Sequence, residues 1–382
     1  MKMYQYTQTN PTIFGTGTIA VLGEKIKEFG CRKVLVVTDQ GLIKVGVVDK
    51  ILEQLKKSEI EAVVFDKIMQ DPVDTVCNEG GEFAISENVD GIIAVGGGSV
   101  MDAAKAINIL TTNGGPISKY YGTWEYKPVK PLIMIPTTAG TGSENTIYGV
   151  ITENTTGVKK VVLTTGSLAI CDAELTYKLP SSLTASTGMD VFAHAAESMT
   201  CNATNPKSDL LGEKAIELVC RWLPVAVHEP DNKEARQNMM LASNFAGIAF
   251  SDACCHLGHA FSQCMGAKFH IAHGISCAWA LPEVMKYSAT AVPEKVKCIA
   301  RAMKLKFSEN ISDEEIGQLV ADKIREIMID IGVKSIRDYG YTREDTISIS
   351  EIMMKDNCFP FLPKSLNEQE VKEILGRIYD TY

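Results

Sequence analysis

The chain has 382 residues, of which 45% are hydrophobic, 22% charged and 7% aromatic, with a formal net charge of −9. That length exceeds what one core fills, so two domains are expected, and so ordinary a globular composition excludes a low-complexity or disordered chain. The acidic balance speaks against nucleic acid and anionic membrane as partners, because both are held by clustered Lys and Arg.

The N-terminal stretch MKMYQYTQTNPTIFG is polar and broken by Pro11, so it lacks the apolar centre of a secretory signal. Nowhere do 18 apolar residues run together, and a cytoplasmic location is expected. The eleven cysteines are odd in number and form no C-x-x-C pair, which reads as reduced and mostly buried thiols. Cys254 and Cys255 lie near histidines, but adjacent side chains rarely face one ion.

Along the chain, strand-like runs alternate with amphipathic stretches: KVLVVTD at 33–39, a helical pattern over Val47–Ser58, EAVVFD at 61–66, GIIAVGGGS at 91–99, PLIMIPT at 131–137 and LAICD at 168–172. Such alternation predicts a parallel sheet covered by helices, and the near-continuous hydrophobicity predicts strands buried on both faces. From about Asp190 the apolar residues recur at helical spacing and strand-like runs vanish. A boundary within 179–186 divides the chain into an α/β domain with a parallel sheet, residues 1–183, and an all-α domain, residues 184–382.

In GIIAVGGGSVMDAAKAI, a strand ends in Gly96, Gly97 and Gly98. Ser99 follows as an expected N-cap, and the helix carries Asp102 and Lys105. Backbone amides and a helix N-terminus are thereby offered to a pyrophosphate, although three glycines also suit a tight strand-to-helix turn. PTTAGTGSE at 136–144 is a second small-residue loop after a buried strand, and two such loops converge on the carboxyl edge of one sheet. Asp39, ending an earlier strand, serves either to bind ribose hydroxyls or as a turn residue before Gly41. The usual dinucleotide fingerprint places the acid about 20 residues after the glycines. Here Asp39 precedes Gly96 by 57 residues, so that fingerprint is absent.

Four of the six histidines, His256, His259, His270 and His273, fall within 18 residues. Upstream, GMDVFAHAAES sets Asp190 and His194 four apart, on one helical face. His259 and His273 are 14 residues apart, about 21 Å on a straight helix, so they can share an ion only if the segment bends; Gly266 and the IAHG stretch ending at Gly274 are the places for that. The alternatives are a metal site of three imidazoles and one carboxylate, suited to Fe²⁺ or Zn²⁺, and a set of satisfied core histidines.

GGGSVMDAAK, PTTAGTGSE, KLPSSLTASTGMDVFAHAAES, AGIAFSDA and GAKFHIAHGISCAWALP, in that order, resemble the signature segments of the iron-containing, group III alcohol dehydrogenases over essentially the whole chain. The resemblance implies an N-terminal α/β domain that binds NAD(H) and an all-α C-terminal domain that holds the metal and catalyses, the dehydroquinate synthase-like architecture. By position, it implies Asp190, His194, His259 and His273 as ligands of one divalent metal, Fe²⁺ or else Zn²⁺. It also implies Asp39, Gly97, Gly98, Ser99, Asp102, Thr138, Thr141, Ser143 and Lys160 as cofactor contacts. The implied chemistry is hydride transfer between NAD(H) and a small alcohol or aldehyde, by a cytoplasmic homo-oligomer of two or more chains.

Two departures bear on the substrate. Many members of the family have a histidine where this chain has Gln263, leaving proton movement to ribose hydroxyls, water or another group such as His270. Asn145 stands where the family usually has an aliphatic residue, and with Tyr148, Phe250 and Gln263 it points to a more polar substrate pocket. Competing readings are a polyol dehydrogenase, a reductase of an aldehyde with an anionic tail such as sulfoacetaldehyde or succinic semialdehyde, and, outside enzymes, an inactive metal-binding scaffold.

Overall fold

The computed structural model describes residues 3, 4 and 6–382; Met1, Lys2 and Gln5, part of the stretch read for a secretory signal, lie outside the described residues. Two compact units emerge. One comprises Gln8–Thr138 and Gly142–Lys178, the other Leu179–Tyr382 with Ala139–Thr141 and the chain start up to Thr7. The division at Leu179 precedes the helix Ser181–Thr200, which a cut after residue 183 would split.

The first unit carries eight strands: β1 (Thr12–Phe14), β2 (Lys33–Val37), β3 (Glu61–Phe65), β4 (Gly91–Gly96), β5 (Leu132–Pro136), β6 (Tyr148–Thr152), β7 (Lys159–Leu163) and β8 (Leu168–Cys171). Six form a parallel sheet in the order β1-β8-β5-β4-β2-β3. β4 and β5 are buried along their whole length, as their unbroken apolar runs require. From β2 the chain moves outward to β3 and then returns to the other side of β2 as β4, so the order reverses between β2 and β4. Ligands of open α/β sheets bind in the crevice at the carboxyl ends beside such a reversal.

Three features differ from the sequence expectations. β1 is only three residues long, too short to show a period. β6 and β7 form a separate antiparallel pair, closed through Gly157 with its left-handed φ of 68°. The helix after β4, α1 (Gly98–Asn113), is capped by Gly97 in extended conformation and not by Ser99, which sits in the first turn and accepts the Asp71 N–H at 3.3 Å. With three glycines available, the backbone begins its helix one residue before any side chain can cap it.

The second unit is built of helices and their connections, with no strand among its described residues. Its central element, α2 (Ser181–Thr200), is buried without interruption from Gly188 to Thr200. A helix that is enclosed all round lies in the core, so its polar residues Asp190, His194, Glu197 and Thr200 need partners there. Around it lie α3 (Pro206–His228), α4 (Lys233–Ala253), α5 (Leu257–Phe269) and α6 (His273–Ala289). The break between α5 and α6 falls at His270, whose backbone is left-handed (φ 56°) and whose N–H closes on Gly266 O at 3.0 Å. Gly266 itself remains in α5 and Gly274 in α6, so neither is the hinge. Histidine is among the few non-glycine residues enriched in that region.

In the first unit Lys105, on α1, is wholly buried. Its ammonium donates to Ser143 O (2.8 Å), Ser143 Oγ (2.9 Å), Thr146 Oγ1 (3.0 Å) and Tyr148 O (2.6 Å), fastening the loop before β6 to the helix. Burial lowers its pKa to about 8, although Asp102 and Glu144 pull upward. Between about 8 and the ordinary 10.5 the unfolded chain holds this proton and the folded one does not, so this group's contribution to stability improves as pH rises through that window. Relative to Lys105→Met, the wild type should therefore gain on the order of 1–3 kcal/mol across the window. Chemical denaturation of both proteins over that range checks it; a pH-independent difference contradicts the assignment.

Candidate functional site

The helical unit brings three buried polar atoms with no hydrogen-bond partner to one place: Asp190 Oδ1, His194 Nδ1 and His259 Nε2. His194 Nδ1 lies 3.6 Å from Asp190 Oδ1, His273 Nε2 3.5 Å and His259 Nε2 3.8 Å. Each unmatched buried group costs about 1–3 kcal/mol, and all of these atoms carry lone pairs. A cation is what satisfies them together. Burial pushes the Asp190 carboxyl up to about 6, with His259 pulling the other way, and burial holds the His194 imidazole well below its ordinary value.

Neighbouring groups aim the imidazoles. Glu197, one turn beyond His194 on α2, has Oε1 3.0 Å from His259 Nδ1 and accepts the His256 N–H at 2.6 Å. Burial works to raise its pKa, but His259 and His256 outweigh it and hold the carboxyl below the usual range. A carboxylate only accepts, so His259 Nδ1 carries a proton, and Nε2, 3.8 Å from Asp190 Oδ1, is the nitrogen that a metal would take. The approach requires Gly258, where a Cβ would stand 2.4 Å from Glu197 Oε1. At His273, Ser262 Oγ lies 2.7 Å from Nδ1 and donates to His273 O at 2.9 Å, so it accepts from Nδ1–H and leaves Nε2 unprotonated, facing Cys277 Sγ at 3.7 Å. Phe250 stacks on the His194 ring at 4.1 Å.

His256, in the same sequence cluster, belongs to a different contact. Its Nε2 is 2.8 Å from Thr200 Oγ1, and burial lowers its pKa to about 4. His270 is exposed on the turn between α5 and α6. Gln263 places Nε2 3.2 Å from Cys358 Sγ. Donor atoms of Asp190, His259, His273 and Cys277 all lie within 4.8 Å of one another, whereas His194 groups in this way with His259 and Cys255. Sequence reading passed over Cys277; its signal was the spacing of four from His273, the same spacing that links Asp190 and His194. All eleven cysteines are free and seven are buried.

In the α/β unit, Val37 pairs with Ala94, so two residues further along each chain stand Asp39 and Gly96, beside the reversal in strand order. Asp39 caps the short helix Gln40–Lys44, its Oδ1 accepting the Leu42 N–H at 3.0 Å. Gly97 faces Thr138: a Cβ there would lie 3.4 Å from the Thr138 side chain, whose buried hydroxyl has no partner. Ser143 donates to Asp102 Oδ1 at 2.6 Å, and burial raises the Asp102 pKa against the pull of Lys105 and Ser143. Lys160, on β7, stands 4.0 Å from Glu153. Thr141 clusters with the helical unit, unlike Thr138 and Ser143. Asn145 is 1% exposed and bonded to Glu144 Oε1 (3.0 Å) and Thr12 (3.4 Å), and Tyr148 begins β6.

Comparison with known proteins matches the iron-containing alcohol dehydrogenase family model over residues 9–173, and the C-terminal model of the Fe-containing alcohol dehydrogenase family over 184–379. A 1,3-propanediol dehydrogenase of Citrobacter freundii is 37% identical, with 99% of each chain covered. Among solved structures, a 1,3-propanediol oxidoreductase superposes with a TM-score of 0.95 at 35% identity, covering 99% of this chain and 100% of the other. Sulfoacetaldehyde reductase from Bifidobacterium kashiwanohense, solved with NAD⁺, superposes with a TM-score of 0.90 at 28% identity and full coverage of both chains. Among the described residues no helix is long and apolar enough to cross a membrane.

Removing His259 tests the cluster. His259→Ala should lower bound metal and turnover in parallel, by more than the roughly 10- to 100-fold that outer partners of a metal contribute. NADH binding should persist, because the glycine turn belongs to the other unit. Metal analysis with NADH titration on the purified variant decides it; full metal occupancy at a near-normal rate removes His259 from the site.

Proposed function

The chain belongs to the iron-containing alcohol dehydrogenase family, and on that premise we propose that it is a metal- and NAD(H)-dependent oxidoreductase interconverting a small primary alcohol and its aldehyde, working chiefly as an aldehyde reductase. The observation that carries this reading is the convergence of the unpartnered atoms of Asp190, His194 and His259 in the helical core. His273 completes a set of three imidazoles and one carboxylate. That set suits a borderline divalent ion, Fe²⁺ in keeping with the family or Zn²⁺ in its place.

When bound, the divalent ion supplies Lewis-acid polarisation of the substrate oxygen and NAD(H) supplies or takes the hydride. The protein's own part is positional. Glu197 and Ser262 fix the tautomers of His259 and His273, and Phe250 holds the His194 ring plane. The Gly97–Gly98 turn, with Ser99, Thr138, Thr141, Ser143, Asp102 and Lys160, receives the dinucleotide phosphates and nicotinamide end, while Asp39 receives the adenosine ribose. Gln263 orients substrate, since an amide donates and accepts hydrogen bonds without titrating. The proton is left to ribose hydroxyls, water, or His270 on its exposed turn.

Relatives acting on 1,3-propanediol favour a small uncharged alcohol or diol as substrate. The likeness to sulfoacetaldehyde reductase keeps a short aldehyde with an anionic tail as the second reading. An NADH-oxidation screen over two- to five-carbon aldehydes, neutral and acidic, with metal measured on the same sample, separates them; metal-loaded protein that reduces none of them defeats both.

Two substitutions examine the assigned roles. Asp39→Gly should narrow a preference for NADH over NADPH, because a carboxylate beside the ribose repels a 2′-phosphate. A wild type already using both cofactors equally would show that Asp39 has no such role. Gln263→Ala should shift selectivity among substrates and leave the shape of the pH profile unchanged. Loss of an ionisation from that profile would mean that Gln263 supports a titrating relay.

A further inference from the structure

We propose that Cys277 is itself a ligand of the metal, adding a thiolate to the aspartate and histidine donors, an inference that rests on reading the cluster as a metal site. Cys277 lies on α6 four residues after His273, on the same helical face, and is wholly buried. Its Sγ stands 3.7 Å from His273 Nε2. With metal–sulfur and metal–nitrogen bonds near ~2.3 and ~2.1 Å, two neighbouring ligands that subtend about 110° at one ion sit about 3.6 Å apart. The observed separation fits that distance. Asp190 Oδ1 lies 3.5 Å from His273 Nε2 and 3.8 Å from His259 Nε2, spacings of the same order.

The second line of support comes from the groups around the thiol. Asp190 Oδ1 and His259 Nε2 are unpartnered, and their residues are 2% and 4% exposed. Their donor atoms and those of His273 and Cys277 all fall within 4.8 Å of one another. An ion held by these three residues would have the Cys277 sulfur beside it, 3.7 Å from His273 Nε2. Coordination then releases the thiol proton to solvent as the metal–sulfur bond forms. A soft sulfur donor moves the preference of the centre towards thiophilic ions such as Zn²⁺. The competing account is a thiol merely hydrogen-bonded to His273.

Cobalt separates the two accounts. The full-length protein, stripped by a chelator and reloaded with Co²⁺, should bind the ion stoichiometrically and show visible ligand-field bands together with a near-ultraviolet sulfur-to-cobalt charge-transfer band. Cys277→Ser should keep the cobalt and its ligand-field bands while losing the charge-transfer band, and Cys255→Ser should keep both. Ligand-field bands without charge transfer in the wild type, or a charge-transfer band surviving Cys277→Ser, overturns the proposal and leaves the metal site standing. Failure to bind cobalt stoichiometrically defeats the metal site and Cys277 with it. X-ray absorption of the Zn²⁺-loaded wild type needs no variant: a sulfur shell near ~2.3 Å is expected, and a shell of nitrogen and oxygen alone overturns the assignment.

Discussion

A carboxylate enclosed in a core helix, with one oxygen that no protein donor meets, governs the helical unit. Taking a charge out of water costs several kcal/mol unless an opposite charge or a cluster of donors replaces the solvent, and Asp190 Oδ1 faces lone pairs instead. The surroundings are consistent with holding this mismatch open. Glu197 and Ser262 take up the outer nitrogens of His259 and His273, so the inner nitrogens have only one direction left. Gly258 makes room for Glu197, and the left-handed His270 ends α5 where α6 must begin.

The α/β unit solves a different problem: presenting backbone and hydroxyl groups at one point of a sheet whose strands are otherwise buried. The reversal between β2 and β4 creates that point, and the strand register brings Asp39 level with Gly96. Lys105 works beneath it. A single buried ammonium gathers Ser143 and Thr146 from the loop that precedes β6 and Tyr148 at the start of that strand, and Ser143 is tied in turn to Asp102. The segment from Ser143 to Tyr148 is thus fixed to the helix after the glycine turn by one cation.

Much of this was legible in the sequence wherever a single periodicity ruled. Strand runs such as GIIAVG and LIMIP and the helical pattern over Val47–Ser58 correspond to β4, β5 and the helix Val47–Lys57. Short or composite elements were not legible: β1 has three residues, and the β6–β7 pair sits outside the parallel sheet that the alternation implied. The 57 residues between Asp39 and the glycines hid a proximity that strand order alone creates. In the helical half, the need for a bend between His259 and His273 could be read from rise per residue, but its place could not. His270 takes the left-handed conformation, a choice that tertiary packing makes and that no glycine announced. Cys277 is not singled out by any cysteine motif, and its informative signal is the helical spacing of four from His273.

The path of the chain has a further consequence. Only three residues, Ala139–Thr141, leave the α/β unit to cluster with the helical one before the chain returns at Gly142, and the first residues up to Thr7 also cluster there. The chain therefore passes between the units at four places, and no single scission yields two intact pieces. A gene fragment beginning at Leu179 would lack a strand-end segment that its own core incorporates. Shuffling the halves of relatives at the obvious sequence boundary would likewise join the helical core of one parent to the tripeptide of the other. Modularity on the scale of domains is withheld from this architecture by a tripeptide, which ties the inheritance of the two halves together.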